Sequence, residues 1–327
     1  MIYFDLIAAH GNIPLMSRSS LAPQDLSRNQ LERLAHIDFR LYFLGQLRRL
    51  DLQERFGIAP AAATRDIALY KDIAPSNIVF EGSDKSYGAS DTFVPRFGHH
   101  PLRVLTMLSQ GFGDGVGDAL GPMVPCDLPA PLSLPKVPIL AAVTRGINLA
   151  QPLRVTYSSH SSGVTTRDIV PLALVNSGVR WHVRVFDRKS QQFRDFVLTR
   201  ITDVHPLPDN TVLAHERLNH DLQWNRVIEL KLVPHPRNSR AELAQLDYQL
   251  DEGVLTVRVR ASNAGYILRH WSVDCSPDHS LQGREYVLWL PDSLALYGAE
   301  SAVVAPGYVR PELDNGLPVF RAASECV

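Results

Sequence analysis

Apolar residues recur at helical spacing near the start of the chain and at every second position in its middle, and that change of period dictates a multidomain α+β protein. Leu31, Leu34, Leu41 and Leu44 fall on one helical face, which predicts an amphipathic helix over residues 29–48. Shorter helices are expected over 51–56 and 61–70, then two short strands, 78–80 and 85–87, around the turn Gly82-Ser83-Asp84. Residues 95–150 are rich in Pro and Gly, with helices expected at 102–109 and 139–148. Alternation then predicts strands at 153–157, 169–175, 181–186 and 193–201, closed by Pro206-Leu207-Pro208. The last third is mixed: Ser239 and Glu242 form a capping-box pattern, residues 255–259 and 286–290 alternate, and a helix is expected over 264–271. The expected parts are an extension (1–28), a helical domain with a hairpin (29–95), a helical connector (96–150), a β-domain (151–206) and a C-terminal α+β domain (207–327).

At 327 residues the chain has room for these parts, and its 45% hydrophobic and 20% charged residues are ordinary for a globular protein. No stretch has the length and apolarity of a membrane span, so no membrane partner is expected. Met1 to Met16 is interrupted by Asp5 and His10 with no basic residue ahead, which argues against a signal peptide and for a cytoplasmic location. Cys126, Cys275 and Cys326 are far apart, which predicts reduced thiols and neither a disulfide framework nor a metal site. Charge is unevenly spread. Residues 151–205 hold eight Lys/Arg against four Asp/Glu, residues 221–327 hold ten against fourteen, and residues 1–100 balance at eleven each.

A helix–turn–helix needs a short helix, a tight turn and a second helix with a free outer face. Leu52 and Phe56 pack inward, Gly57 makes the turn, Ile58 tucks beneath it, and Pro60 suits a first helical turn. Ala63, Ile67 and Tyr70 then share the buried face, leaving Pro60, Ala61, Thr64, Arg65 and Ala68 outward. The hairpin that follows is read as a wing. Arg49, Lys71, Lys85 and Tyr87 complete the candidate DNA contacts. By pattern alone, an inert three-helix core is as good a reading. One short recognition helix reads few base pairs, so a homodimer on an inverted-repeat operator in double-stranded DNA is expected, with the acidic C-terminal third and Trp271 available for the dimer contact.

In the β-domain, strand alternation puts Arg180, His182, Arg184 and Phe186 on one face, and Arg194, Phe196, Leu198 and Arg200 on one face of the next strand. Tyr157, Ser159, Arg167, His182, Arg184, Arg194 and Arg200 are therefore the candidate lining of an anion site for a nucleotide or oligonucleotide effector, with Tyr157 stacking on a base. The competing reading is the solvated face of a half-buried sheet.

Three segments then resemble a known family. Leu153-Arg154-Val155-Thr156-Tyr157-Ser158-Ser159, Arg167-Asp168-Ile169-Val170-Pro171-Leu172, Arg180-Trp181-His182-Val183-Arg184 and Phe193-Arg194-Asp195-Phe196-Val197-Leu198 look like a WYL domain of the subgroup reading Trp-His-Val. Residues 45–52, Phe56-Gly57-Ile58 and 65–70 resemble the winged helix of the same proteins. Residues 231–236 with 266–271 resemble their C-terminal extension. The order is that of WYL-domain transcriptional regulators of the BrxR/CapW type. It implies an Sm/SH3-like β-barrel, dimerisation through the C-terminal domain, and autoregulatory repression of a phage-defence operon, relieved by the effector. Two positions depart from that pattern: Ala59 stands where a capping Ser is common, and His182 replaces the usual Tyr.

Other motifs dissolve on inspection. In Gly111-Phe112-Gly113-Asp114-Gly115-Val116-Gly117 the third glycine of a dinucleotide fingerprint is one place late and no strand precedes it. His215, Glu216 and His220 resemble a zinc-protease helix, but histidines five apart do not share a face. No nucleophile elbow or phosphate loop is present, so a regulator needing no cofactor, and not an enzyme, is expected. The residues leave open a transcriptional activator and a nucleic-acid-processing accessory factor.

Overall fold

The computed structural model describes residues 26–83, 85–112, 122–129, 131–207, 211–238, 240–314 and 317–319. The chain divides into two compact units, one within residues 13–129 and one comprising residues 130–327. The N-terminal stretch up to residue 25, Asp84, the glycines at 113, 115 and 117, Ser239 and Cys326 lie outside the described residues.

In the first unit, α1 (Arg28–Leu44) is capped by Ser27, whose Oγ accepts from the Gln30 amide at 3.3 Å. It stops four residues before the expected end because Gly45 turns left-handed at φ 71. Gln46–Leu47 instead form β1. A second glycine stop, Gly57 at φ 60, ends α2 (Arg49–Phe56) ahead of α3 (Pro60–Ile73). The wing is β2 (Ile78–Glu81) and β3 (Ser86–Ala89), and β1 joins it in a sheet of order β1-β3-β2. Leu34, Leu41, Leu52, Ala63, Ile67 and Tyr70 enter the core as their spacing predicts, joined by Ile37, while Leu31 and Leu44 stay half-buried. Arg33 Nε donates to Asp66 at 2.6 Å and ties α1 to α3. Fully buried Asp38 accepts from the Tyr70 hydroxyl at 2.6 Å and the Arg96 amide at 3.0 Å, with His99 Nε2 2.9 Å away. That carboxylate fixes the chain leaving the wing before α4 (Pro101–Gln110) begins.

The second unit opens with α5 (Val137–Asn148), whose Ile139 and Val143 sit in one core with Leu153, Val155, Ile169, Val183, Val185, Phe196 and Leu198. The helix expected within a connector thus belongs to the β-domain's core. The strands are β4 (Leu153–Ser159), β5 (Gly163–Asn176), β6 (Trp181–Asp187), β7 (Gln192–Val197) and β8 (Ile201–Pro206), an antiparallel sheet of order β7-β6-β5-β4-β8. A single strand over 193–201 is not what forms. A 3₁₀ turn at Leu198–Arg200 separates β7 from β8 and buries Leu198 in the core.

Beyond it come α6 (Leu222–Asn225), β9 (Val227–Pro234), α7 (Ala241–Tyr248), β10 (Leu255–Arg260), α8 (Ala264–His270) and β11 (Leu288–Trp289). The sheet β10-β9-β11 packs Leu230, Leu232, Val257 and Val259 against Leu268 and Leu290. The cap position of α7 is Arg240, with no side-chain capping bond. The fold is thus α+β and multidomain. Among the described residues no helix is long and apolar enough to cross a membrane.

Candidate functional site

On α3 the residues that the spacing left outward, Pro60, Ala61, Thr64, Arg65 and Ala68, are all exposed, as are Lys71 and Asp72 one turn further on. Ala59 occupies the cap position without a side-chain hydrogen bond, so Pro60 starts the helix through its fixed φ. Thr64 Oγ1 bonds back to the Pro60 carbonyl at 2.9 Å and accepts from exposed Arg49 Nη1 at 3.3 Å, which stretches Arg49 along the N-terminal half of α3. Small side chains there let a backbone approach closely, and two guanidiniums flank them. That surface fits a polyanion groove.

The wing differs from expectation. Lys85 is exposed but stands in the turn at φ 56, ahead of β3. Tyr87 is half-buried against the core, with its ring 5.2 Å from Phe80, so the exposed wing aromatic is Phe80. Phe80 and Tyr87 are cross-strand partners on one face, but Tyr87 sits on the central strand β3 and Phe80 on the edge strand β2; the sequence does not show which strand is the edge, because that depends on β1 pairing with β3.

In the second unit a cavity of about 800 Å³ lies where the β-domain meets the C-terminal segment. Of the seven expected residues, Tyr157, Ser159, Arg167, Arg184 and Arg194 line it, and His182 and Arg200 do not. His182 is buried beneath Tyr266 with ring centroids 5.3 Å apart. Burial, then the charge of Arg180, lowers its pKa to about 4, so the ring is neutral there. Arg200 ends the 3₁₀ turn and meets His160 Nε2 at 2.8 Å.

The lining residues also play roles different from those expected. Tyr157 stacks on Phe196 at 4.2 Å and its hydroxyl accepts from the Val197 amide at 3.3 Å, so that ring face is covered. Arg184, 2% exposed, is consumed by carboxylates: Nε and Nη2 reach Asp221 at 2.7 and 3.0 Å, and Nη1 reaches Asp195 at 3.2 Å. It joins the β-domain to the C-terminal segment and does not present its guanidinium. Arg167 donates to Asp187 at 2.9 Å and also to Thr165 and Ser162. Arg194 alone of these arginines meets only neutral partners, Ser190 at 3.0 Å and Gln192 at 2.8 Å. Ser159 and Ser161 hydroxyls, 3.1 Å apart, add donors nearby.

Asp195, Asp221, Tyr266 and Glu300 also line the cavity, and none of them was expected. Asp195 was legible only through its register opposite Arg184. The others arrive from far along the chain and left no signal. The zinc-protease look-alike resolves as well: Glu216 holds Arg188 by two bonds of 2.7 and 2.8 Å. No group of three potential ligands able to hold a metal occurs among the described residues.

A winged helix, a small β-domain and a C-terminal α+β domain, in that order along the chain, define a transcriptional regulator of the WYL class. Residues 29–110 match the BrxR transcriptional regulator winged helix-turn-helix domain, 138–206 the WYL domain and 227–295 the BrxR transcriptional regulator C-terminal dimerization domain. The chain is 30% identical over 247 residues to the DNA-binding transcriptional repressor CapW of Escherichia coli, covering 73% of this chain and 81% of that protein. It is 30% identical over 258 residues to CapW of Pseudomonas aeruginosa (73% and 81% covered) and 27% identical over 276 residues to CapW of Stenotrophomonas maltophilia (79% and 88%). The chain belongs to the BrxR/CapW family of transcriptional regulators.

Proposed function

We propose that the chain is a DNA-binding transcriptional repressor, acting as a homodimer on an inverted repeat upstream of its own phage-defence operon and released when an anionic effector enters the cavity of the second unit. The carrying observation is family membership over all three domains, with relatives named DNA-binding transcriptional repressors across 81% of their length. The exposed face of α3, with Arg65 and Arg49 beside small residues, supports DNA contact. The dimerization domain supports two half-sites, which supply the specificity one short helix lacks. The anion end of the effector site narrows to Arg194 and the neighbouring serines, because Arg184 and Arg167 are already paired with carboxylates.

The test is a gel shift on the upstream region with a reporter read before and after infection. Arg65→Ala weakens specific binding by about 1–3 kcal/mol if it reads a base. Arg194→Ala binds the operator like the parent but stays repressed on infection. Loss of neither property in either variant would refute the reading.

A further inference from the structure

We infer that the cavity takes an anion that also carries an amino group, and that Asp195, with Tyr266 and Glu300 in the same lining, selects for that group. The inference rests on the effector reading above and names the ligand's second half.

Charge makes the case. The lining holds Arg167, Arg184 and Arg194 against Asp187, Asp195, Asp221 and Glu300, so it carries more acid than base. Arg167 and Asp187 cancel at 2.9 Å, and Arg184 and Asp221 cancel through two bonds. What remains is one cation, Arg194, and two carboxylates. A compact polyanion would meet net repulsion there, whereas a ligand with one anionic end and one donor end meets complementary groups at both.

Asp195 is suited to receive the donor. Its side chain is 10% exposed, Oδ1 accepts from Arg184 at 3.2 Å, and among the described residues Oδ2 has no hydrogen-bond partner. Burial pushes its pKa up, with Arg184 opposing and Asp221 and Glu300 adding to the rise. The Oδ2 of Asp195 is left open to the cavity and can accept a hydrogen bond from an incoming N–H, a charge-assisted bond stronger than a neutral one. The Tyr266 hydroxyl also accepts no bond from the described residues, and burial holds it protonated, with its pKa pushed up to about 12. A volume of about 800 Å³ holds a mononucleotide, whose phosphate and exocyclic amine have the required chemistry.

Calorimetric titration of the full chain separates the possibilities. The probes are adenosine 5′-monophosphate, purine riboside 5′-monophosphate, which lacks only the 6-amino group, and ribose 5-phosphate. The parent binds the amino nucleotide about tenfold more tightly than the deamino one, since a site built around a donor penalises its loss. Asp195→Asn, nearly isosteric and checked for folding by tryptophan fluorescence, reduces that ratio to about threefold, and Asp195→Leu removes it. Equal binding of the two nucleotides, lost in Arg194→Ala, overturns the amino selection and leaves the anion site standing. Failure of the parent to bind any of the three at millimolar concentration overturns both.

Discussion

Replacing Asp221 by Ala strands the guanidinium of Arg184, whose side chain is 3% exposed, next to a single remaining carboxylate 3.2 Å away. Removing one partner of a buried pair costs about 3–5 kcal/mol, because the other charge stays buried without its counter-ion. Asp195 moderates this, so the lower end, about 3 kcal/mol, applies. Asp221 also caps α6 by accepting from the Trp224 amide at 3.1 Å, and losing a cap adds about 1 kcal/mol. For a unit of this size each kcal/mol lowers Tm by about 2–4 °C, so about 4 kcal/mol becomes a drop of about 8–16 °C. The assay is internally selective: all four tryptophans, Trp181, Trp224, Trp271 and Trp289, belong to residues 130–327, so tryptophan fluorescence reports that unit's unfolding alone. Arg184→Met leaves two buried carboxylates and costs a similar amount. In the double variant the carboxylate and the guanidinium are no longer left stranded by each other, so the two effects fall short of additivity by about 2 kcal/mol or more. An Asp221→Ala variant melting within about 3 °C of the parent would refute the pairing and return Arg184 to the pool of groups free for a ligand.

Three further outcomes are expected. Lys71→Ala and Lys85→Ala each weaken binding to all DNA sequences and lower the slope of log affinity against log salt by about one, measured by fluorescence anisotropy; an unchanged slope in both removes them from the interface. His182 has its pKa lowered to about 4 by burial and then Arg180, while the unfolded chain holds it at its ordinary value, so stability is complete above that ordinary value and falls as pH drops toward 4. At pH 5 the loss from this ring is about 2 kcal/mol, and a His182→Phe variant whose tryptophan-monitored melting keeps the same acid dependence would exclude it as the cause. Light scattering finds a dimer at micromolar concentration, and a monomer with and without DNA would defeat the two-half-site reading.

The residues by themselves determined the elements whose partners lie close in sequence. Leu34, Leu41, Leu52, Ala63, Ile67 and Tyr70 announced a three-helix core through spacing alone, because helical periodicity is a local property. The outward set on α3 followed from the same geometry. Periodicity gave the elements but not all their ends: Gly45 stops α1 and the Leu198–Arg200 turn breaks a β-domain strand, in runs that hydrophobicity would continue. The cavity needed the tertiary structure. A count of eight cations against four anions in residues 151–205 looked like an anion site, yet Asp221 and Glu300 fold in from outside that window and reverse the balance of the lining. Arginine on a strand has one appearance in sequence whether it faces solvent, ligand or a buried carboxylate. Arg184 was decided only when Asp221, 37 residues away, came within 2.7 Å, since electrostatics acts through space and sequence separation carries no record of it.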